Sequence, residues 1–192
     1  MSVKIVHHKN FLGMIKELMK DAQSVLDIGC GVGATLKDFP CPIKIGVDAH
    51  GPYLEKARLA TSFLPIKYEA QRIGEIFLAK SVDCVSMIDV IEHMEKGVGY
   101  EVLAQAERIA VKRVVVFTPR GFFKQKAEDH YGLGGESFQE HRSGWEIEDF
   151  TQRGYQVIVF NQFHDQSNLA FVESYGKDAK PMDALLAWKE LR

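Results

Sequence analysis

The chain has 192 residues with ordinary apolar and aromatic content, which excludes a disordered or fibrous protein and, at about 150 residues per domain, predicts a single domain over 1–192. Its 24 Lys and Arg against 26 Asp and Glu leave a formal charge of −2 without a basic run, so composition argues against a nucleic-acid partner. No apolar segment has the length of a signal peptide or a membrane span, and Cys30, Cys41 and Cys84 include no C-x-x-C pair, so the sequence reads as a cytoplasmic protein with reduced thiols.

In chain order, Asn10 is placed to cap an amphipathic helix through Phe11, Leu12, Ile15, Leu18 and Met19. Ser24–Ile28 and Ile43–Val47 read as buried strands, the first ended by glycines and the second by Asp48. Gly51-Pro52 opens a helix through Leu54, Ala57 and Ala60, and Ile66–Glu69 is a weaker strand. Val82–Ile88 and Arg113–Thr118 are further strands, separated by a helix with Val102, Leu103, Ala106, Ile109 and Ala110 on one face. Near-continuous Val and Ile runs divided by amphipathic helices predict an α/β fold, a parallel sheet covered on both faces.

Residues 119–144 interrupt the alternation with a glycine- and aromatic-rich connection too long for a bland turn, which is expected to be an inserted functional loop. Ser143-Gly144-Trp145-Glu146 fits a capping box for a helix ending at Gly154. Tyr155–Phe160 and Leu169–Ser174 then read as an antiparallel strand pair. Met182–Leu191, within 180–192, reads as a C-terminal helix.

The strongest motif is Val25-Leu26-Asp27-Ile28-Gly29-Cys30-Gly31-Val32-Gly33, a strand running into a three-glycine turn before an expected short helix. Missing side chains at Gly29 and Gly31 let a ligand approach the backbone, and a helix N-terminus offers unpaired N–H groups. Written as Gly29-x-Gly31-x-x-Ala34, the turn also satisfies the dinucleotide fingerprint. Asp48, 21 residues after Asp27, is where an acid could accept hydrogen bonds from ribose hydroxyls, although a turn aspartate is an equal reading. Asp27 separates the cofactors: an acid there would repel a pyrophosphate but could attract the ammonium group of an amino acid.

With Ile88-Asp89-Val90-Ile91-Glu92-His93 after the fourth strand, these motifs make the sequence resemble a class I S-adenosylmethionine-dependent methyltransferase over about residues 10–175. The resemblance implies a Rossmann-like, doubly wound, mostly parallel sheet of seven strands with the last one antiparallel. It implies that Asp27, Gly29, Cys30 and Gly31 lie at the methionine part of the cofactor and Asp48 with Ala49 at the ribose. Glu69 and Ala70 would meet adenine, and Ile88, Asp89 and Val90 would line the adenine and methionine side. Glu69 and Tyr68 depart from the commoner aspartate and glycine there.

The segment after the fourth strand lacks the Asp/Asn-Pro-Pro-aromatic signature of base-modifying amino-methyltransferases and resembles small-molecule O-, N- or C-methyltransferases, such as the quinone-biosynthesis type. Phe122, Phe123, His130, Tyr131, Phe138, His141, Arg142 and Trp145 are the expected acceptor pocket. His141 is the first choice for a base, on the ground of a histidine pKa near neutrality, and His93 the second; a surface, capping or packing role is the competing reading for each. Arg142 suits an anionic acceptor or an exposed ion pair. No metal is expected, because the seven histidines form no spaced ligand cluster beyond the adjacent His7-His8 pair. Two other functions stay open: an NAD-dependent oxidoreductase, against which stands the missing Tyr-x-x-x-Lys pair, and a non-catalytic S-adenosylmethionine-binding module. Spacing leaves monomer and homodimer equally open.

Overall fold

The structure is a computed structural model that describes residues 3–58, 62–125, 129 and 131–191, so Ala60 and His130 lie outside the described residues. Strand β1 (Val3–Val6) precedes helix α1 (Phe11–Leu18), which the Asn10 side chain caps by accepting from Gly13 N at 3.1 Å. There follow β2 (Ser24–Ile28), β3 (Ile43–Asp48), α2 (Gly51–Arg58), β4 (Leu64–Lys67), β5 (Val82–Ile88), α3 (Lys96–Ile109) and β6 (Ala110–Pro119). Apart from β1, these are the elements that the apolar runs and helical periodicities predict, to within a few residues at their ends.

The later chain departs from expectation. It forms α4 (Glu136–Gln139), α5 (Ile147–Thr151), β7 (Gln156–His164), α6 (Leu169–Tyr175) and β8 (Met182–Glu190). Leu169–Ser174 is therefore helix, not strand: Asn168 accepts from Phe171 N at 3.1 Å, and an N-cap settles a short apolar run whose periodicity fits either element. Met182–Leu191 is strand, not helix. Leu185 and Ala187 enter one core and Ala184 and Leu186 the other, so the polar alternation that marks a half-buried strand is absent. α5 begins after Glu146, whose N–H donates to the Asp149 carboxylate at 2.7 Å, three residues later than a Ser143 cap would place it.

The sheet order is β1-β7-β8-β6-β5-β2-β3-β4. β8 is antiparallel to β6 and β7, and every other pairing is parallel. The last strand among the described residues is thus the antiparallel one, as the family resemblance implies, but their sheet has eight strands rather than seven. The extra one, β1, pairs with β7 at the edge and buries only Val6, too little apolar pattern to register in the sequence. One core face holds Leu26, Val85, Val114 and Val116, and the opposite face Val25, Cys84, Val115 and Phe117. Alternate residues of the same central strands feed the two cores, which fixes the register and aims the strands' C-terminal ends at one rim.

Candidate active site

At that rim lies a cavity of about 1090 Å³. Its wall includes Gly29, Cys30 and Gly31 after β2, Asp48 and Ala49 at the end of β3, Glu69 and Ala70 after β4, and Ile88, Asp89 and Val90 at the end of β5. Open parallel sheets place ligands at this end of the strands. Every sequence-predicted cofactor residue is there except Asp27.

The glycine turn is held by bonds from its own amides to β3. Gly29 N and Cys30 N both donate to Val47 O, at 2.7 and 3.0 Å, and Gly31 N donates to Asp48 Oδ2 at 2.8 Å. Gly29, Gly31 and Gly33 have φ of 71°, 54° and 75°, a region that glycine enters without steric cost. The expected helix after the turn is only a 3₁₀ turn at Leu36–Asp38. The helix N-terminus with unpaired N–H groups is therefore a correction: these three amides are spent on β3, which removes donors that a pyrophosphate would use. A methyl group added at Gly29 would stand 2.5 Å from a Val90 methyl, whereas one added at Gly31 meets nothing within 4 Å. Gly29 closes the turn on the protein, and Gly31 faces open space.

Asp48 also accepts His50 N on Oδ1 at 2.8 Å. Each carboxylate oxygen thus holds one backbone donor and keeps a second lone pair. Burial raises the Asp48 pKa despite those two bonds. Asp27 lies beneath the turn, 2% exposed, with Ser86 Oγ donating to Oδ1 at 2.6 Å. Burial pushes its pKa up to about 7, Ser86 opposing and Asp48 adding to the rise. Asp89, unlike Asp27, lines the cavity, and its place at the strand end holds it at φ 51°, a conformation that non-glycine residues adopt only under constraint. Cys30 is buried, and burial raises its thiol far above the usual range, which leaves it an inert wall residue.

Beyond β5 the short turn Ile91–His93 brings Glu92 and His93 to the cavity. The 119–144 connection returns to them: Arg142 N and Ser143 N donate to Glu92 O at 2.8 and 3.1 Å, so His141 stands against His93 with ring centroids 4.6 Å apart. His141 is 7% exposed, and its Nδ1 bonds Phe123 O at 2.7 Å. Burial, reinforced by His93, lowers its pKa to about 3. The expectation of a near-neutral base there is corrected: His141 is a neutral imidazole and a weak proton acceptor at physiological pH. Burial also lowers His93.

The same connection is anchored on α2, where Tyr53 Oη donates to Asp129 Oδ1 at 2.7 Å while Asp129 also accepts the amides of Tyr131 and Gly135. Phe123, Tyr131, Phe138, His141 and Arg142 face the cavity. Two expected pocket residues do not. Phe122 is 54% exposed outside the cavity wall, and Trp145 is wholly buried beneath Gly99, with its Nε1 donating to Ser143 Oγ at 3.0 Å. Sequence reasoning missed Phe11, Phe163 and His164, which complete an aromatic wall with Phe117 and Phe123. Their signal was hidden because α1 and the end of β7 converge there only through the sheet order. His164 is buried, and its Nε2 has no partner among the described residues, while Asn168 Nδ2 donates to Nδ1 at 3.2 Å. That bond makes Nδ1 the acceptor and puts the ring proton on Nε2.

The mostly parallel sheet with its last strand antiparallel is the one that the family resemblance implies, and residues 26–117 match the family model described as methyltransferase domain. This stretch carries a methyltransferase domain, and the chain as a whole has the fold of S-adenosylmethionine-dependent methyltransferases. No curated protein matches it in sequence. Among solved structures, the YcgJ protein of Bacillus subtilis shares the fold at 15% identity and a TM-score of 0.63, over 96% of this chain and 99% of that one. Magnesium protoporphyrin IX methyltransferase from Synechocystis PCC 6803, crystallised with S-adenosylhomocysteine, gives 14% and 0.61 over 96% and 84%. A SAM-dependent methyltransferase from Archaeoglobus fulgidus gives 17% and 0.60 over 93% and 94%. No helix among the described residues is long and apolar enough to cross a membrane.

Proposed function

We propose that the chain methylates a small-molecule oxygen or nitrogen nucleophile, with the cofactor lying along the glycine turn and the acceptor against the aromatic wall. The observation that carries this reading is the division of one cavity into two unlike halves. The turn, Asp48 and Glu69-Ala70 form a polar half suited to a nucleoside, and Phe11, Phe117, Phe123 and Phe163 an apolar half suited to a flat or greasy acceptor.

In this assignment Asp48 takes the ribose hydroxyls with its remaining lone pairs, next to Ala49, and Gly31 leaves room for the methionine portion. Glu69 and Ala70 border the adenine, and Ile88, Asp89 and Val90 cover the ring and the sulfonium side. Gly29 and Cys30 hold the turn's shape. Asp27 acts through the turn as a positioning residue, since it does not reach the cavity. S-adenosylmethionine supplies a methyl group on a cationic sulfur, so the protein's work is in-line placement and exclusion of water. His141 and His93 stand between the two halves as the groups that meet the acceptor's nucleophilic atom.

The small-molecule reading is supported by the near-neutral charge, by the absence of the base-methylating signature, and by a structural neighbour named for a porphyrin substrate. The near-neutral charge also supports an enzyme without a nucleic-acid partner, and a cytoplasmic monomer or homodimer is part of the same proposal. Calorimetric titration with S-adenosylmethionine, S-adenosylhomocysteine and NAD tests the reading. The first two should bind and NAD should not; binding of NAD alone, or of none, would overturn it. An acceptor screen that follows S-adenosylhomocysteine release then separates an enzyme from a binding module.

A further inference from the structure

Three donor groups at the junction of the two half-cavities belong to no cofactor contact. Glu92 and His93 come from the turn after β5 and His141 from the returning loop, and one ligand atom of each lies within 4.8 Å of the others. Donors around a single ion at about 2.1 Å stand roughly 3–4 Å apart, so the three close on an ion by drawing in by up to about 1–2 Å.

Their surroundings orient them as ligands. His141 Nδ1 bonds the carbonyl of Phe123 at 2.7 Å, and His93 Nδ1 bonds the carbonyl of Glu140 at 3.2 Å. A carbonyl only accepts, so Nδ1 carries the proton in both rings and Nε2 keeps its lone pair, the arrangement that outer partners impose on metal-binding histidines. Glu92 is 2% exposed, and Thr118 Oγ1 donates to its Oε2 at 2.9 Å, which fixes the carboxylate. The Asp89 carboxyl lines the same cavity wall. The bonds from Arg142 N and Ser143 N to Glu92 O tie the loop to the turn through backbone alone, so the three ligands are held together before any ion arrives.

We propose that Glu92, His93 and His141 form a site for a first-row divalent transition ion, which takes the hydroxyl of the acceptor as a further ligand. Two imidazoles and one carboxylate suit zinc, manganese, iron or cobalt rather than the all-oxygen shells of calcium or magnesium. The inference narrows the acceptor to a hydroxyl compound, and that part rests on the methyl-transfer reading. Coordination acidifies the hydroxyl, whose proton passes to water. Its oxygen then forms the O–CH3 bond while the S–CH3 bond breaks and its electron pair stays on sulfur. The products are a methyl ether, S-adenosylhomocysteine and one proton, with the ion unchanged. This also gives His141 a task that needs a lone pair and not a near-neutral pKa.

The test uses the full chain stripped with a chelator and titrated with Mn2+ alone, followed by electron paramagnetic resonance and calorimetry. One Mn2+ per chain is expected, weakened by about tenfold or more in each of His93→Gln, His141→Gln and Glu92→Gln. S-adenosylhomocysteine binding, measured in parallel, should be unchanged and reports that each variant is folded. His93→Gln, at the least buried of the three positions, gives a reading even where Glu92→Gln fails to fold. No saturable Mn2+ binding below millimolar overturns the site. So does binding that survives all three substitutions, which would place the ion elsewhere, such as at His7-His8. Mn2+ binding without S-adenosylhomocysteine binding would instead sink the cofactor reading and leave the metal site standing.

Discussion

Gly31 N donates to Asp48 Oδ2 at 2.8 Å, and this bond joins the turn after β2 to the end of β3. It makes Asp48 two things at once: the brace of the glycine turn and, on the proposed assignment, the acceptor for the ribose. Asp48→Ala removes both, so S-adenosylhomocysteine affinity should fall by about 1.5–3 kcal/mol, the range for a hydrogen bond to a charged group. Asp48→Asn keeps the brace through its amide oxygen and should lose less. Calorimetry on both variants checks the order. Equal affinity in wild type and Asp48→Ala would remove the ribose assignment.

Gly29 and Gly31 should fail in different ways. A methyl at Gly29 would meet Val90 at 2.5 Å, so Gly29→Ala should lower Tm strongly with or without ligand. Gly31→Ala meets no protein atom and carries only the strain of its positive φ, about 1–2 kcal/mol. Its larger loss should be in S-adenosylhomocysteine affinity, because the methyl enters the space assigned to the ligand. Thermal melts with and without S-adenosylhomocysteine distinguish the two; a Gly31→Ala protein that gains the full ligand-induced rise in Tm would contradict the placement.

Much of the first half of the fold is legible because its strands are continuous apolar runs closed by glycines or Asp48. Ser24–Ile28 and Val82–Ile88 match β2 and β5 residue for residue. Legibility falls where residue type and element disagree. β8 is written in Ala, Leu, Lys and Glu, good helix formers, and becomes a strand because it fills the gap between β6 and β7 with both faces covered. The polar half of the site was readable, since Gly29, Gly31 and Asp48 follow strand ends directly. The cluster of Glu92, His93 and His141 was not. What joins His141 to the other two is a pair of backbone N–H bonds to Glu92 O, and backbone bonds leave no mark in residue identity.

Asp27 should make the ligand-free protein's stability pH-dependent. Its folded pKa, about 7, stands above the model-peptide value of 3.8, so the folded state holds the proton more tightly. The stability tied to that proton is fully present below about pH 4 and lost as pH rises to about 7. Glu92, also pushed up to about 7 by burial, adds to the same slope. Asp27→Asn keeps an oxygen for Ser86 Oγ and abolishes its own titration. It should flatten the curve and, at pH 8, stabilise the protein by on the order of 3 kcal/mol. Urea denaturation at pH 4.5 and 8 measures this; an unchanged slope would mean that Asp27 ionises normally in the fold. Its effect on S-adenosylhomocysteine affinity should be smaller than that of Asp48→Ala, because Asp27 lies beneath the turn.

His164 provides the sharpest probe of the aromatic half. Asn168 Oδ1 accepts from Phe171 N, which turns its Nδ2 toward His164 Nδ1 and leaves the His164 Nε2–H buried without a partner among the described residues. An orphan donor costs about 1–3 kcal/mol, so replacing it with a ring of similar shape should not harm the fold. Burial holds the His164 pKa down to about 4, so the ring is neutral at physiological pH and donates without carrying charge. If this N–H is met by a polar atom of the acceptor, His164→Phe should raise KM for the acceptor about tenfold, leave S-adenosylhomocysteine affinity unchanged, and hold or raise Tm. Steady-state kinetics with an acceptor from the screen, alongside a melt, measures all three. A raised Tm with unaltered acceptor KM would show that His164 faces the apolar wall alone, and would move the polar recognition of the acceptor to His93 and His141.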